Sequence, residues 1–170
     1  MESSQLLVDK VISPTESFFR CIFSPLHISS AGKIKREALL PPRERRDVSM
    51  FRKRYLSIDE CLTLAKDISF NNNTLKALAS ISNDAIETNN LEFKDQQPLV
   101  YAHVFFTPMH NEMYVDTGQD IFMNDPKVNK AAHVDLIYNY VYTKDELVQT
   151  KLRKYASELI KSMKKELIIA

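Results

Sequence analysis

Glycine is almost absent from this chain. Of its 170 residues, two are glycine, Gly32 and Gly118. Folds that cradle a phosphate with their main chain need glycine-rich loops, because a side chain would hold the backbone away from the ligand. The sequence also contains no Gly-x-Ser-x-Gly, HExxH or CxxC motif. We therefore exclude P-loop ATPases and dinucleotide-dependent oxidoreductases.

Composition is that of one globular domain. The chain is 44% hydrophobic and 26% charged, and no apolar run approaches the roughly 20 residues of a membrane-spanning helix. The first residues have neither a basic start nor an apolar segment, so the sequence predicts no secretory signal, no membrane contact and a cytoplasmic location. Cys21 and Cys61 are too few for a disulfide framework and lack spaced partners for zinc. We expect reduced core thiols, no metal site and no cofactor.

Four segments have the residue pattern of β-strands. They are rich in β-branched and aromatic residues and lie between turn residues: Phe18–Phe23, Val48–Phe51, Leu99–Phe106 and His133–Tyr142. The third is apolar on both faces, which predicts a central strand. Its His103 would then be a core histidine.

Two capping boxes predict helices that cover this sheet. The first begins at Ser57 and predicts a helix over 58–68. The second begins at Thr143, after which apolar residues recur at every third or fourth position as far as Leu167. The sequence therefore predicts a single α+β domain over residues 1–170, a mixed β-sheet packed by two or more helices. Residues 1–13 are expected to form a short helix or docking arm.

Charge is strongly segregated along the chain. Residues 33–54 contain nine basic and three acidic residues, whereas residues 81–126 contain eight acidic residues and one lysine. A basic block of this density suits nucleic-acid phosphates or an acidic protein surface. Alternatively, the basic and acidic segments lie against each other or form solvated faces. The residues predicted to contact a partner are Lys35, Arg36, Arg43, Arg45, Arg46, Arg52 and Arg54.

A second set of polar residues could form a catalytic site. Arg20, His27, Ser49 and His133 lie at or near the ends of predicted strands, and Asp135 falls on the same strand face as His133. A carboxylate beside an imidazole suits general-base chemistry. Each residue also has a structural explanation: an arginine in a buried ion pair, a turn histidine, a strand serine, and a strand-start histidine held by its carboxylate.

Two resemblances bear on function. Arg20 and Ser49 lie on consecutive predicted strands that are followed by a helix, and this layout resembles that of ADP-ribosyltransferase-like domains. Those domains hold a dinucleotide with Arg, Ser and Glu. This chain has no Glu-x-Glu motif near the end of the predicted sheet. The second resemblance covers more of the chain, and the segments that carry it are Phe19–Ile22, His27, Gly32, Ala38–Pro41, Asp47–Ser49, the Ser57 helix and His133–Leu136. In these segments the chain resembles small prokaryotic and phage-associated proteins, which implies an accessory role in multi-gene bacterial systems, including antiphage defence.

The sequence thus predicts a non-catalytic accessory or adaptor subunit of a larger bacterial assembly. It would bind a protein partner through its segregated charge, and residues 33–54 could also bind nucleic acid. The alternative is a small nucleic-acid-binding or nucleotide-modifying enzyme that uses Arg20, His27, Ser49 and His133.

Overall fold

The computed structural model describes residues 6–66, 68 and 72–169. The helices and strands it contains are, in chain order, β1 (Ser17–Ser24), β2 (Asp47–Arg52), α1 (Ile58–Ala65), β3 (Thr74–Ser82), α2 (Asn83–Phe93), β4 (Ala102–Phe106), β5 (Met109–His110), β6 (Met113–Tyr114), β7 (His133–Tyr138), α3 (Glu146–Leu159) and β8 (Lys164–Ile168). Short 3-10 helices lie at Arg36–Leu39 and Ile160–Ser162.

The described residues form a six-stranded sheet in the order β4-β7-β2-β1-β3-β8 and a separate β5-β6 hairpin. All strand pairs between them are antiparallel, so the sheet is antiparallel rather than mixed. The α+β class and the packing of the sheet by helices are confirmed.

Helices cover the two faces of the sheet unequally. Strand side chains alternate between faces. Phe18 of β1 and Met50 of β2 pack with α2 and α3 in the largest apolar cluster. Phe19 and Phe51, their neighbours in sequence, face the other way and pack with α1. Because α1 is shorter than α2 and α3, it leaves part of this second face for other segments to cover.

The sheet is divided at its centre. β1 pairs with β3 over eight residue pairs, and β2 pairs with β7 over five. Among the described residues, β1 and β2 pair only at Phe18–Arg52 and Phe19–Phe51. Beyond these pairs the two strands separate and leave a cleft.

The described part of the amino-terminal segment packs on its own chain. Leu7 forms a β-bridge with Phe122, and Val8 is buried. Farther along, the carbonyls of Asp9 and Val11 accept hydrogen bonds from Arg52. Residues 6–11 are therefore an extended strap over the domain, while residues 1–5 of the predicted arm lie outside the described residues.

The predicted central strand is wrong. Leu99–Phe106 contains the edge strand β4, which exposes Phe105 and His103, so His103 is not a core histidine. The local apolar pattern does not show which tertiary partner covers each face, and that partner decides whether a face is buried.

The last helix is shorter than its apolar stripe. Asp145 caps α3 by accepting from the amides of Leu147 and Val148, in place of the predicted Thr143 box. The helix ends at Leu159, and Leu167, the last residue of the stripe, lies in β8. By contrast, the Ser57 capping box is confirmed, with both of its reciprocal hydrogen bonds present.

Candidate functional site

A cavity of about 830 Å³ occupies the cleft between β1 and β2. Its walls include Arg20 and Cys21 of β1 and Ser49 of β2. The first 3-10 helix, most of residues 40–45 and parts of the 109–133 segment also line it. The volume lies within the range typical of small-molecule sites.

All four residues of the predicted catalytic alternative line this one cavity. His27 follows β1, His133 begins β7, and Arg20 and Ser49 lie on the two strands that separate. The structure therefore brings the set together in space. No observation assigns chemistry to it.

The cavity wall carries an excess of positive charge. Six basic and three acidic residues line it. Each acid forms an ion pair with a basic residue of the same wall: Arg45 with Asp47 at 2.6 Å, Lys130 with Glu112 at 2.6 Å, and Arg36 with Glu37 at 3.7 Å. Among the described residues, the three remaining cations, Arg20, Arg43 and Arg153, have no carboxylate partner.

Arg20 bridges the divided sheet. Its Nε donates to the carbonyl of Ala38 at 2.7 Å, and its Nη1 donates to the carbonyl of Ser49 at 3.2 Å. The predicted ion pair is thus replaced by two main-chain acceptors. Burial lowers the pKa of Arg20, although an arginine stays protonated at neutral pH. Asp135 is near enough to favour its charged form, but no carboxylate among the described residues lies within ion-pair distance of Arg20.

His27 is buried and neutral. The amide of Phe23 donates to its Nδ1 at 3.1 Å, which leaves the ring hydrogen on Nε2. Burial, together with the nearby charges of Arg20 and Lys35, lowers its pKa to about 3. His27 thus stabilises the turn after β1, as its structural explanation predicted, and also lines the cavity.

His133 and Asp135 form a buried polar pair beside the cavity. Nδ1 of His133 lies 2.7 Å from the carbonyl of Thr107, so it carries the ring hydrogen. The other nitrogen, Nε2, lies 3.9 Å from Oδ1 of Asp135, beyond hydrogen-bonding distance. Burial lowers the pKa of His133, against the opposing effect of Asp135. The backbone of Thr107, rather than Asp135, therefore orients this imidazole.

Asp135 depends on a tyrosine that the sequence analysis missed. The Tyr114 hydroxyl donates to its Oδ2 at 2.9 Å, while its Oδ1 is buried without a hydrogen-bond partner. Burial and this hydrogen bond raise the pKa of Tyr114 to about 12. Tyr114 and Arg153 are cavity residues distant in sequence from the predicted set, and Lys130 lies three residues before His133. The sequence offered only an indirect indication of Tyr114: the carboxylate of Asp135 in a buried strand needs a hydrogen-bond donor from elsewhere in the chain.

The predicted partner-binding residues separate into three groups. Arg36, Arg43 and Arg45 line the cavity. Lys35, Arg46 and Arg54 are exposed outside it. Arg52 is fully buried, where it pairs with Glu16 at 2.5 Å, so its assignment as a partner contact is wrong.

The basic block does not pair with the acidic segment. Both segments are fully described, and no ion pair joins residues 33–54 to residues 81–126. The carboxylate partners of the block lie within it or at Glu16 and Glu166. The two segments line parts of the same cavity but do not neutralise each other through direct ion pairs.

In the described residues, no group of three or more His, Cys, Asp or Glu side chains is placed to hold a metal ion, and no helix is long and apolar enough to cross a membrane. No protein-family model, curated protein or solved structure matches this chain. The two resemblances in the sequence therefore stay predictions.

Proposed function

We propose that the cleft between β1 and β2 binds a small phosphate-bearing anion. The observation that carries the proposal is that Arg20, Arg43 and Arg153 all line the cavity without a carboxylate partner among the described residues. A guanidinium group donates to phosphate oxygens in a bidentate geometry and stays charged at any physiological pH. A phosphate monoester carries nearly two negative charges at neutral pH, which three such groups can neutralise.

Apolar walls favour an organic phosphate over inorganic phosphate alone. Rings of Phe23, Phe51, Tyr114 and Tyr142 line the same cavity as the arginines. An aromatic ring can stack on a base or pack against a sugar. Arg153 donates from Nε to the Tyr142 hydroxyl at 3.0 Å, which fixes one cation beside one ring. A ligand of nucleotide size, with a charged end and a flat apolar end, fits this distribution.

This mode of binding agrees with the scarcity of glycine. The phosphate would be held by side chains of arginine rather than by a loop of main-chain amides, so it needs no glycine-rich segment. The proposal corresponds to the nucleotide-directed alternative from the sequence. It claims recognition of the ligand and no chemical step.

Arg43 and Arg46 provide a matched pair for the test. Both are exposed arginines of the same loop, and Arg43 lines the cavity whereas Arg46 does not. AMP and pyrophosphate are titrated calorimetrically into wild type, Arg43→Gln and Arg46→Gln. Loss of a charge-assisted hydrogen bond should weaken AMP binding by roughly tenfold or more in Arg43→Gln. Arg46→Gln should leave it within about threefold of wild type.

Two results would reject the proposal. One is the absence of saturable binding by both probes in the wild type. The other is an equal loss of affinity in the two variants, which would show that the ligand responds to the general surface field and not to the cavity. Circular dichroism on both variants checks that neither substitution alters the fold.

The predicted adaptor role is the second candidate. The observation that favours it is that Arg46 is exposed and, within the described residues, forms no side-chain ion pair. An acidic protein surface could bind this side of the loop. A partner purified from the native host should then be lost in the triple variant Arg43→Glu, Arg45→Glu, Arg46→Glu, with the melting temperature nearly unchanged. Retention of the partner by the triple variant would reject this role, and a steep salt dependence would identify nucleic acid instead.

A further inference from the structure

A second cavity, of about 810 Å³, adjoins the cleft. Its walls come from α2, α3 and the first 3-10 helix. Arg36 and Arg153 line both cavities, so the two spaces are separated by no more than these side chains. The side chain of Arg36 is 42% exposed, so solvent reaches this boundary, and a ligand can cross it without opening the core.

The boundary between the cavities suits phosphate groups. Within the described residues, Arg153 forms no ion pair, and it donates to the Tyr142 hydroxyl. Arg36 lies 3.7 Å from Glu37, but both side chains are partly exposed, so this pair competes only weakly with an anionic ligand. Two guanidinium groups at one crossing point can bind the successive phosphates of a diphosphate.

The second cavity differs in chemistry from the cleft. Of the described residues that line it, one is aromatic, Phe93, which is buried and edge-on to Tyr155. Apart from the two shared arginines, the rest are polar or charged: Glu92, Gln96, Thr150, Lys154, Ser157 and Glu158. Carboxylates, amides and hydroxyls form hydrogen bonds with the hydroxyl groups of a sugar. A second nucleobase would need an aromatic face, which this cavity does not offer.

We propose that the two cavities together bind a nucleoside diphosphate sugar. The base would lie in the aromatic cleft, the diphosphate at Arg36 and Arg153, and the sugar in the second cavity. This inference rests on the proposed function, because it assumes that the cleft binds the nucleotide. Each volume alone lies within the range typical of small-molecule sites, so a mononucleotide fills only one of the two. The proposal concerns recognition and includes no chemical step.

The first test compares ADP with ADP-glucose by calorimetric titration into the wild type. The two probes share a base and a diphosphate, and ADP-glucose carries about one negative charge less, so charge alone favours ADP. We expect ADP-glucose to bind at least about tenfold more tightly than ADP. Binding of ADP with no preference for ADP-glucose would overturn this inference and leave the proposed function standing. Binding of neither probe would reject both.

Glu92 and Glu87 provide a matched pair that locates the sugar. Both are exposed glutamates of α2, and Glu92 lines the second cavity whereas Glu87 lines neither cavity. The measured quantity is the ratio of ADP-glucose affinity to ADP affinity, because removal of an acid strengthens the binding of any anion. In Glu92→Ala this ratio should fall about fivefold, since a sugar hydroxyl loses a charged acceptor.

In Glu87→Ala the ratio should stay within about twofold of wild type. An unchanged ratio in Glu92→Ala, or an equal fall in the two variants, would overturn the proposal, since neither result is compatible with a sugar bound in the second cavity. Circular dichroism establishes that both variants are folded.

Discussion

Acidification should destabilise the protein through His27. In the folded state burial and neighbouring cations lower its pKa from 6.5 to about 3. Between these two values the unfolded chain binds a proton that the folded chain does not. Stability from this group is therefore complete above pH 6.5 and is lost progressively as the pH falls from 6.5 toward 3.

The size of the effect follows from the width of this window. Each pH unit between the two pKa values costs about 1.4 kcal/mol of unfolding free energy. Between pH 7.5 and pH 5 the contribution of His27 should therefore fall by about 2 kcal/mol. Because a native domain has a total stability of about 5–15 kcal/mol, the loss is easily measured.

The assay compares wild type with His27→Asn. An asparagine Oδ1 can accept the Phe23 amide hydrogen that Nδ1 accepts in the wild type, so the turn keeps its hydrogen bond. Urea unfolding followed by circular dichroism gives the unfolding free energy of both chains at pH 7.5 and pH 5. Other groups that titrate on acidification, including Glu112, Glu166 and His133, are present in both chains and cancel in the difference.

The stability advantage of wild type over His27→Asn should shrink by about 2 kcal/mol on acidification. His27→Asn loses the edge-on contact with the Phe23 ring at either pH, so only the change between the two pH values is diagnostic. Parallel pH profiles for the two chains would refute the reasoning. They would mean that His27 is protonated in the folded state or has an ordinary pKa there.

Three further substitutions test the fold by urea unfolding. Leu152→Ala removes a fully buried side chain of α3 and should cost about 2–5 kcal/mol; a smaller loss would mean that this stripe is not core. Arg52→Met leaves the buried Glu16 carboxylate with only the Arg54 guanidinium at 3.9 Å and the Ser13 amide, and should cost about 3–5 kcal/mol, whereas an unchanged midpoint would show that the pair is dispensable. Ser57→Ala removes the cap of α1 and should cost about 1 kcal/mol, with no effect expected if the capping bond fails to form.

The sequence predicted correctly those helices and strands whose stability depends on interactions between residues close together in the chain. The Ser57 box satisfies orphan amides within four residues, so it is visible without any knowledge of the fold. The strands from Phe18 and from His133 were found for a similar reason, since their aromatic and β-branched composition suits a buried strand in any sheet.

The wrong predictions concern long-range partners. Arg20 and Arg52 both lie on strands among aromatic residues, and the sequence does not tell them apart. In the structure Arg52 forms the buried ion pair, because Glu16 lies just before the neighbouring strand. Arg20 instead donates to two backbone carbonyls in the cleft. Likewise Leu99–Phe106 became an edge strand because β7 pairs with it on one side and, in the described residues, no strand pairs on the other.

The sequence predicted which residues form the candidate site but not the cavity in which they meet. Arg20, His27, Ser49 and His133 were chosen for their chemistry, and their meeting in one cavity depends on the separation of β1 from β2. Strand separation has no local signature, because both strands have ordinary composition. The cavity cations from distant segments, such as Arg153, could not be predicted for the same reason.

The division of the sheet also has a mechanical consequence. Strands β4-β7-β2 and β1-β3-β8 form two halves that are joined in the sheet at Phe18–Arg52 and Phe19–Phe51, with Arg20 as a further bridge. On one face α2 and α3 pack across both halves in the largest apolar cluster, and on the other face a smaller cluster under the shorter α1 joins Phe19 of one half to Phe51 of the other. Bending about the Phe18–Phe19 junction therefore meets less resistance toward the α1 face, and it changes the width of the cleft. A bound anion that contacts both halves would act as a brace, and it would slow amide hydrogen exchange along the inner edges of β1 and β2 more than elsewhere in the sheet.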